Sequence, residues 1–228
     1  MIEKIFRNLL SILLIPIVIG TAKAFYIFVS DVDISSGMFH LFERGVLTYL
    51  LVHVMVFKPI YLYVLGHEFV HVLATWMCGG QVLSFNVTPT GGNVVTSKTN
   101  FFIELSPYFV PIYTLVLGPV FLALRAFGTD ISVIFSGFVF FIGVTLAFHF
   151  VMTYEALKMQ QSDILKSGML FSFILIFLGN LLIVMAVFCP FFENLSFTGF
   201  IKEASAGSFN NYMWIYDKAL EFVNPVKV

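Results

Sequence analysis

The chain alternates between long apolar runs and short polar breaks. The first run extends from about Ile5 to Val29, with Lys4 and Arg7 at its start and Pro16, Gly20 and Lys23 within it. It is long, and no small-residue cleavage site stands out, so it predicts a retained membrane helix rather than a signal peptide. Asp31, Asp33, Ser35, Ser36 and Gly37 form the loop that follows. A basic start set against this acidic loop favours a cytoplasmic N-terminus. The next run, Gly45 to Cys78, is too long for one ordinary span of about 20 residues. Lys58-Pro59 breaks it, because proline disfavours helix in the residue before it and suits a first helical turn. Two helices are therefore expected. The first covers about Gly45 to Phe57, with a start near Met38 as an alternative, and the second covers about Pro59 to Cys78. Gly79-Gly80 supplies the stop. One long kinked helix is the competing arrangement.

The pattern then changes period. Val82–Thr88 and Asn93–Ser97 are rich in β-branched residues, and Pro89-Thr90-Gly91-Gly92 lies between them. This predicts a hairpin, against a plain extramembrane loop. From Phe101 to Phe127 apolar character returns, punctuated by Glu104, Pro107, Pro111, Gly118 and Pro119. Such breaks predict a bent or partly re-entrant helix, tolerated where protein or a water-filled cavity satisfies the backbone. A turn at Gly128, Thr129 and Asp130 leads to a span from Ile131 to about Met152 that contains His149. A polar stretch, Tyr154 to Ser167, precedes a last span from Gly168 to about Phe188.

In the tail, Tyr212, Ile215, Tyr216, Ala219, Leu220 and Val223 recur at helical spacing. That is the pattern of an amphipathic, interfacial helix at a membrane surface, with packing on other helices as the alternative. The expected fold is all-α and polytopic, with about six transmembrane helices and a short β-hairpin. It forms a single membrane-embedded domain over residues 1–228, with a core at about 59–180 and a tail at 191–228.

Composition supports this reading. Of 228 residues, 59% are hydrophobic and only 11% charged, where a soluble domain carries about 25% charged residues. The expected surroundings are therefore a lipid bilayer. A net charge of −1 supplies no basic field for nucleic acid. Cys78 and Cys189 are far apart at the ends of apolar segments. They read as ordinary apolar residues rather than as a disulfide or a thiolate metal site.

Against this background one motif stands out: Gly66-His67-Glu68-Phe69-Val70-His71. Residues four apart share a helix face, so both imidazoles can address one metal ion. Glu68 lies one step round and can serve a water without ligating the metal. This H-E-x-x-H arrangement provides two neutral nitrogen ligands and a carboxylate base. Ionisable groups in an apolar run are costly and by default mark function.

A catalytic zinc site usually has three protein ligands. Candidates for the third are His40, His53, His149, Glu104, Glu155 and Asp163. Asp163 stands out at the entrance to an apolar helix, in Gln160-Gln161-Ser162-Asp163-Ile164-Leu165-Lys166-Ser167-Gly168, although an Asp there also suits a helix cap. His149 is the intramembrane rival. Any enzyme of this kind would cleave peptide or membrane-protein substrates, and the hairpin edge offers a place to bind an extended strand.

The H-E-x-x-H helix, the Gly-Gly and β-rich segment after it and the downstream Asp-bearing helix start resemble the site-2 protease family of intramembrane zinc metalloproteases. The resemblance covers roughly Pro59 to Asn180. It implies one Zn²⁺ per chain, held by His67, His71 and Asp163, with Glu68 as catalytic base. Many members carry Asn-x-x-Pro-x-x-x-Leu-Asp-Gly around the acidic ligand. No Gly follows Asp163 here and the Asn and Pro are absent, which marks a divergent, compact member. Two other classes compete: a prenyl-protein type of membrane zinc protease using Glu155, and a non-proteolytic transporter or pseudoprotease with a structural metal site.

Overall fold

The structure is a computed structural model that describes residues 2–127, 131–159, 162–192 and 194–223. The turn expected at Gly128–Asp130 and the pair Gln160-Gln161 lie outside the described residues. Backbone contacts divide the chain into two compact units, residues 1–32 with 168–228, and residues 33–167.

In the first unit, α1 (Ile2–Ser30), α8 (Met169–Phe188) and α9 (Phe197–Val223) pack together. Helix α9 lies antiparallel along α1: Phe200 meets Phe28 edge-on, Ser208 meets Gly20, and the Asn211 amide donates to the Pro16 carbonyl at 3.0 Å. A Cβ on Gly20 would sit 2.4 Å from the Ser208 backbone nitrogen, so glycine is what lets the two helices touch. The N-terminal half of α9 therefore packs on another helix, whereas the apolar positions that carry the helical spacing, among them Ile215, Tyr216, Leu220 and Val223, are exposed.

The second unit carries the motif. Helix α2 (Gly37–Met55) is capped by the Ser36 hydroxyl, which accepts from the Phe39 amide. It packs on α6 (Ile131–Lys158) through reciprocal glycines. A Cβ on Gly45 would lie 2.0 Å from the Phe140 carbonyl oxygen, and one on Gly143 would lie 2.2 Å from that of Phe42. The chain breaks at Lys58-Pro59, and α3 (Ile60–Met77) begins directly after it. Two separate helices are thus present. Helix α3 ends in a Schellman arrangement: the Gly80 amide donates to the Thr75 carbonyl and the Gly79 amide to that of Trp76, with Gly79 at φ +68°.

Strands β1 (Val82–Thr88) and β2 (Gly91–Thr96) form the expected antiparallel hairpin, pairing Phe85 with Val94 and Thr88 with Gly91. Both strands pack against α3. Helix α4 (Phe101–Leu105) runs into a 3-10 turn, Ser106–Tyr108, and then α5 (Ile112–Ala126) departs at 75°. The prolines of this stretch thus bend the chain, as their spacing predicts. The short α7 (Ser162–Ser167) closes the unit.

Among the described residues, three helices are long and apolar enough to cross a membrane: α1 from Phe6, α6 and α8. The bent pair around Pro107 and Pro111 makes a fourth if counted as one span. This suits an integral membrane protein but does not reach the expected six. Helices α2 and α3 account for the difference. Their apolar runs are diluted by His40, Glu43, Arg44 and His53 in one and by His67, Glu68 and His71 in the other.

Candidate metal centre

Helix α3 places His67 and His71 one turn apart, with ring centroids 4.9 Å from each other. Gly66, just before the motif, lets α5 come close: a Cβ there would lie 2.7 Å from the Tyr113 ring. The Tyr113 hydroxyl in turn donates to the Leu62 carbonyl at 2.6 Å. The helix that carries the histidines is thereby held to its neighbour by both shape and a hydrogen bond.

Asp163, in the first turn of α7, comes to the same place. Its Oδ2 lies 3.6 Å from Nε2 of His71 and 3.9 Å from Nε2 of His67. These separations are long for hydrogen bonds. They are close to the roughly 3.3 Å expected between ligand atoms around a tetrahedral ion with bonds of about 2.0–2.1 Å. His71 Nδ1 lies 2.7 Å from the Ile103 carbonyl oxygen. A carbonyl only accepts, so a proton sits on Nδ1, which leaves Nε2 as the nitrogen able to ligate a metal ion. Burial raises the Asp163 carboxyl pKa, but the two facing imidazoles outweigh it and hold the group well below the ordinary carboxylate range. His67, His71 and Asp163 together form a group able to hold a metal ion, and no other group of three such donors occurs among the described residues.

The rival ligands are placed elsewhere. His40 faces Glu43 at 3.4 Å on the surface of α2. His53 lies 3.0 Å from the Tyr49 hydroxyl and 3.5 Å from Glu155. Glu155 itself is paired with Lys58. His149 is buried on α6 and lines a pocket with His67, Pro107 and Tyr113, outside the three-donor group. Glu104 accepts from the hydroxyls of Thr99 and Ser167.

Glu68, next to His67 on α3, packs against the hairpin. It is only 8% exposed. The backbone of Gly92, early in β2, lies directly on it: a Cβ at Gly92 would sit 2.4 Å from the Glu68 Cγ and 2.9 Å from its Oε1. Sequence reading treats Gly92 only as a turn residue, because a contact with α3 leaves no local signal. Tyr108 is likewise unannounced in the pattern. It is fully buried, its hydroxyl donates to Asp163 Oδ2 at 3.4 Å, and its ring meets that of His67 edge-on at 5.0 Å. The arrangement can bind a divalent cation and keep a carboxylate beside it, the elements of metal-assisted hydrolysis. Comparison of the chain with protein-family models, with curated proteins and with solved structures finds no match.

Proposed function

We propose that this protein is an intramembrane zinc metalloprotease that hydrolyses peptide bonds in membrane-spanning substrates. The observation that carries the reading is the convergence of His67, His71 and Asp163 with Glu68 on the adjoining face of the same helix. Two imidazole nitrogens and a carboxylate oxygen form the donor set of hydrolytic zinc sites, and the Nδ1 contact of His71 supplies the usual outer partner. When bound, zinc supplies an acidified water and an electrophile for the scissile carbonyl.

The chain's own residues do the rest. Glu68 takes a proton from the attacking water as the new C–O bond forms. It then gives that proton to the departing amine nitrogen as the C–N bond breaks. Burial of Glu68 between α3 and the hairpin keeps bulk water away from it. A transmembrane substrate must unwind locally, since its helical carbonyls are already hydrogen-bonded. The exposed edge of the hairpin that packs on α3 offers replacement partners beside the centre.

The test uses the full chain in proteoliposomes with a transmembrane peptide. Cleavage should require zinc, stop with chelator and return on zinc addition. In Glu68→Gln, zinc content should persist while cleavage stops. Undiminished cleavage by Glu68→Gln would remove the proposed base and, with it, this mechanism.

A further inference from the structure

Helix α7 has six residues, far fewer than the roughly 12–15 an isolated helix needs for even marginal stability in water. Yet it presents the third donor of the trio. Its position must come from tertiary contacts, and the described contacts converge on one segment. At the far end of α7, the Ser167 hydroxyl, fully buried, donates to Glu104 Oε2 of α4. The other oxygen of Glu104 accepts from Thr99 at 3.1 Å. At the near end, Tyr108 donates to Asp163 Oδ2, the oxygen that faces both imidazoles. The Ile103 carbonyl of the same segment holds His71, and the Tyr108 ring backs His67. Asn100 anchors the start of the segment, its side chain accepting from the Ile103 amide at 2.9 Å.

We propose that Phe101–Tyr108 is the outer shell of the metal centre, with Glu104 and Tyr108 as positioning residues that hold Asp163 as a ligand from both ends of α7. This inference rests on the metal-centre reading above. Glu104 fixes where the helix lies. Tyr108 occupies one lone pair of Oδ2 and so directs the other toward the imidazoles. Neither residue touches substrate or handles a proton. Loss of such outer partners typically weakens metal affinity about 10- to 100-fold.

The experiment is a competition titration of zinc against a chromophoric chelator, using the full chain in detergent. A parallel series with cobalt is read by its visible absorption, which reports ligand geometry. Tyr108→Phe removes a single oxygen and keeps the buried ring. Ser167→Ala and Glu104→Ala release the other end of α7, and Glu104→Gln keeps an acceptor for Ser167. Tyr108→Phe, Ser167→Ala and Glu104→Ala should each bind zinc about 10- to 100-fold more weakly and alter the cobalt spectrum, while Glu104→Gln restores most of the affinity. A purely structural role would lower the unfolding temperature of the metal-free protein without changing the spectrum, and that outcome overturns the proposal. So does wild-type affinity in both Tyr108→Phe and Ser167→Ala. A wild-type protein that binds no metal overturns it together with the reading beneath it. Metal binding without proteolysis, with the variants weakened, supports this inference and sinks only the protease.

Discussion

Replacing Gly92 with alanine tests the link between the hairpin and the proposed base. The added Cβ would sit 2.4 Å from the Glu68 Cγ, whereas carbon atoms pack best at about 3.5–4.0 Å. Something must yield by about 1 Å. Helix α3 is pinned to α5 through Gly66 and Tyr113, so the displacement falls on the Glu68 side chain or on β2. Misplacing a reacting group by about 1 Å costs on the order of 100-fold in rate, or about 2.7 kcal/mol of barrier. Gly92 touches none of the three ligands' side chains among its closest neighbours, so zinc content should remain at the wild-type level. Gly91→Ala is the matched control. It lies next door in the same strand, and a Cβ there meets nothing within 4 Å. The assay is turnover of a transmembrane peptide in proteoliposomes, with zinc measured on the same samples. Wild-type turnover in Gly92→Ala, or equal losses in both variants, would refute the argument.

Three further outcomes follow from the geometry. Zinc should raise the unfolding temperature of the wild type, by the equivalent of about 4 kcal/mol at a thousandfold excess over Kd, and should leave Asp163→Ala nearly unmoved; differential scanning fluorimetry reads both. Glu155→Ala should keep full zinc content by elemental analysis, because that carboxylate faces Lys58 and His53 rather than the trio; reduced zinc would favour the prenyl-protease type of site. Gly45→Ala should destabilise the protein by about 1–3 kcal/mol in thermal unfolding, since its Cβ meets the Phe140 carbonyl oxygen at 2.0 Å, while Gly137→Ala, with open space around it, should not.

The parts of the molecule legible in the sequence are those written in local spacing. His67 and His71 share a face because they are four apart, and Lys58-Pro59 and Gly79 bound their helix by backbone chemistry that acts within a few residues. The hairpin was readable for the same reason, although β2 begins at Gly91 rather than Asn93. Asp163 was identifiable only among rivals, since nothing local separates a ligand from a helix cap. The residues around the centre carry no such signal. Tyr108, Ser167 and Gly92 make their contacts with segments far away in the chain, and their own neighbours in sequence announce none of them. Of the six expected spans, three or four are long and apolar enough among the described residues, because α2 and α3 carry polar groups within their apolar runs.

The order of the donors along the chain has a consequence for biogenesis. Both imidazoles emerge from the ribosome early, yet their acidic companion arrives only after the hairpin, the bent segment and α6 have been made. A nascent polypeptide holding only the two histidines grips a divalent cation weakly. On the proposed function, hydrolytic competence waits until α7 has docked, which would keep a half-built copy harmless to the membrane proteins around it.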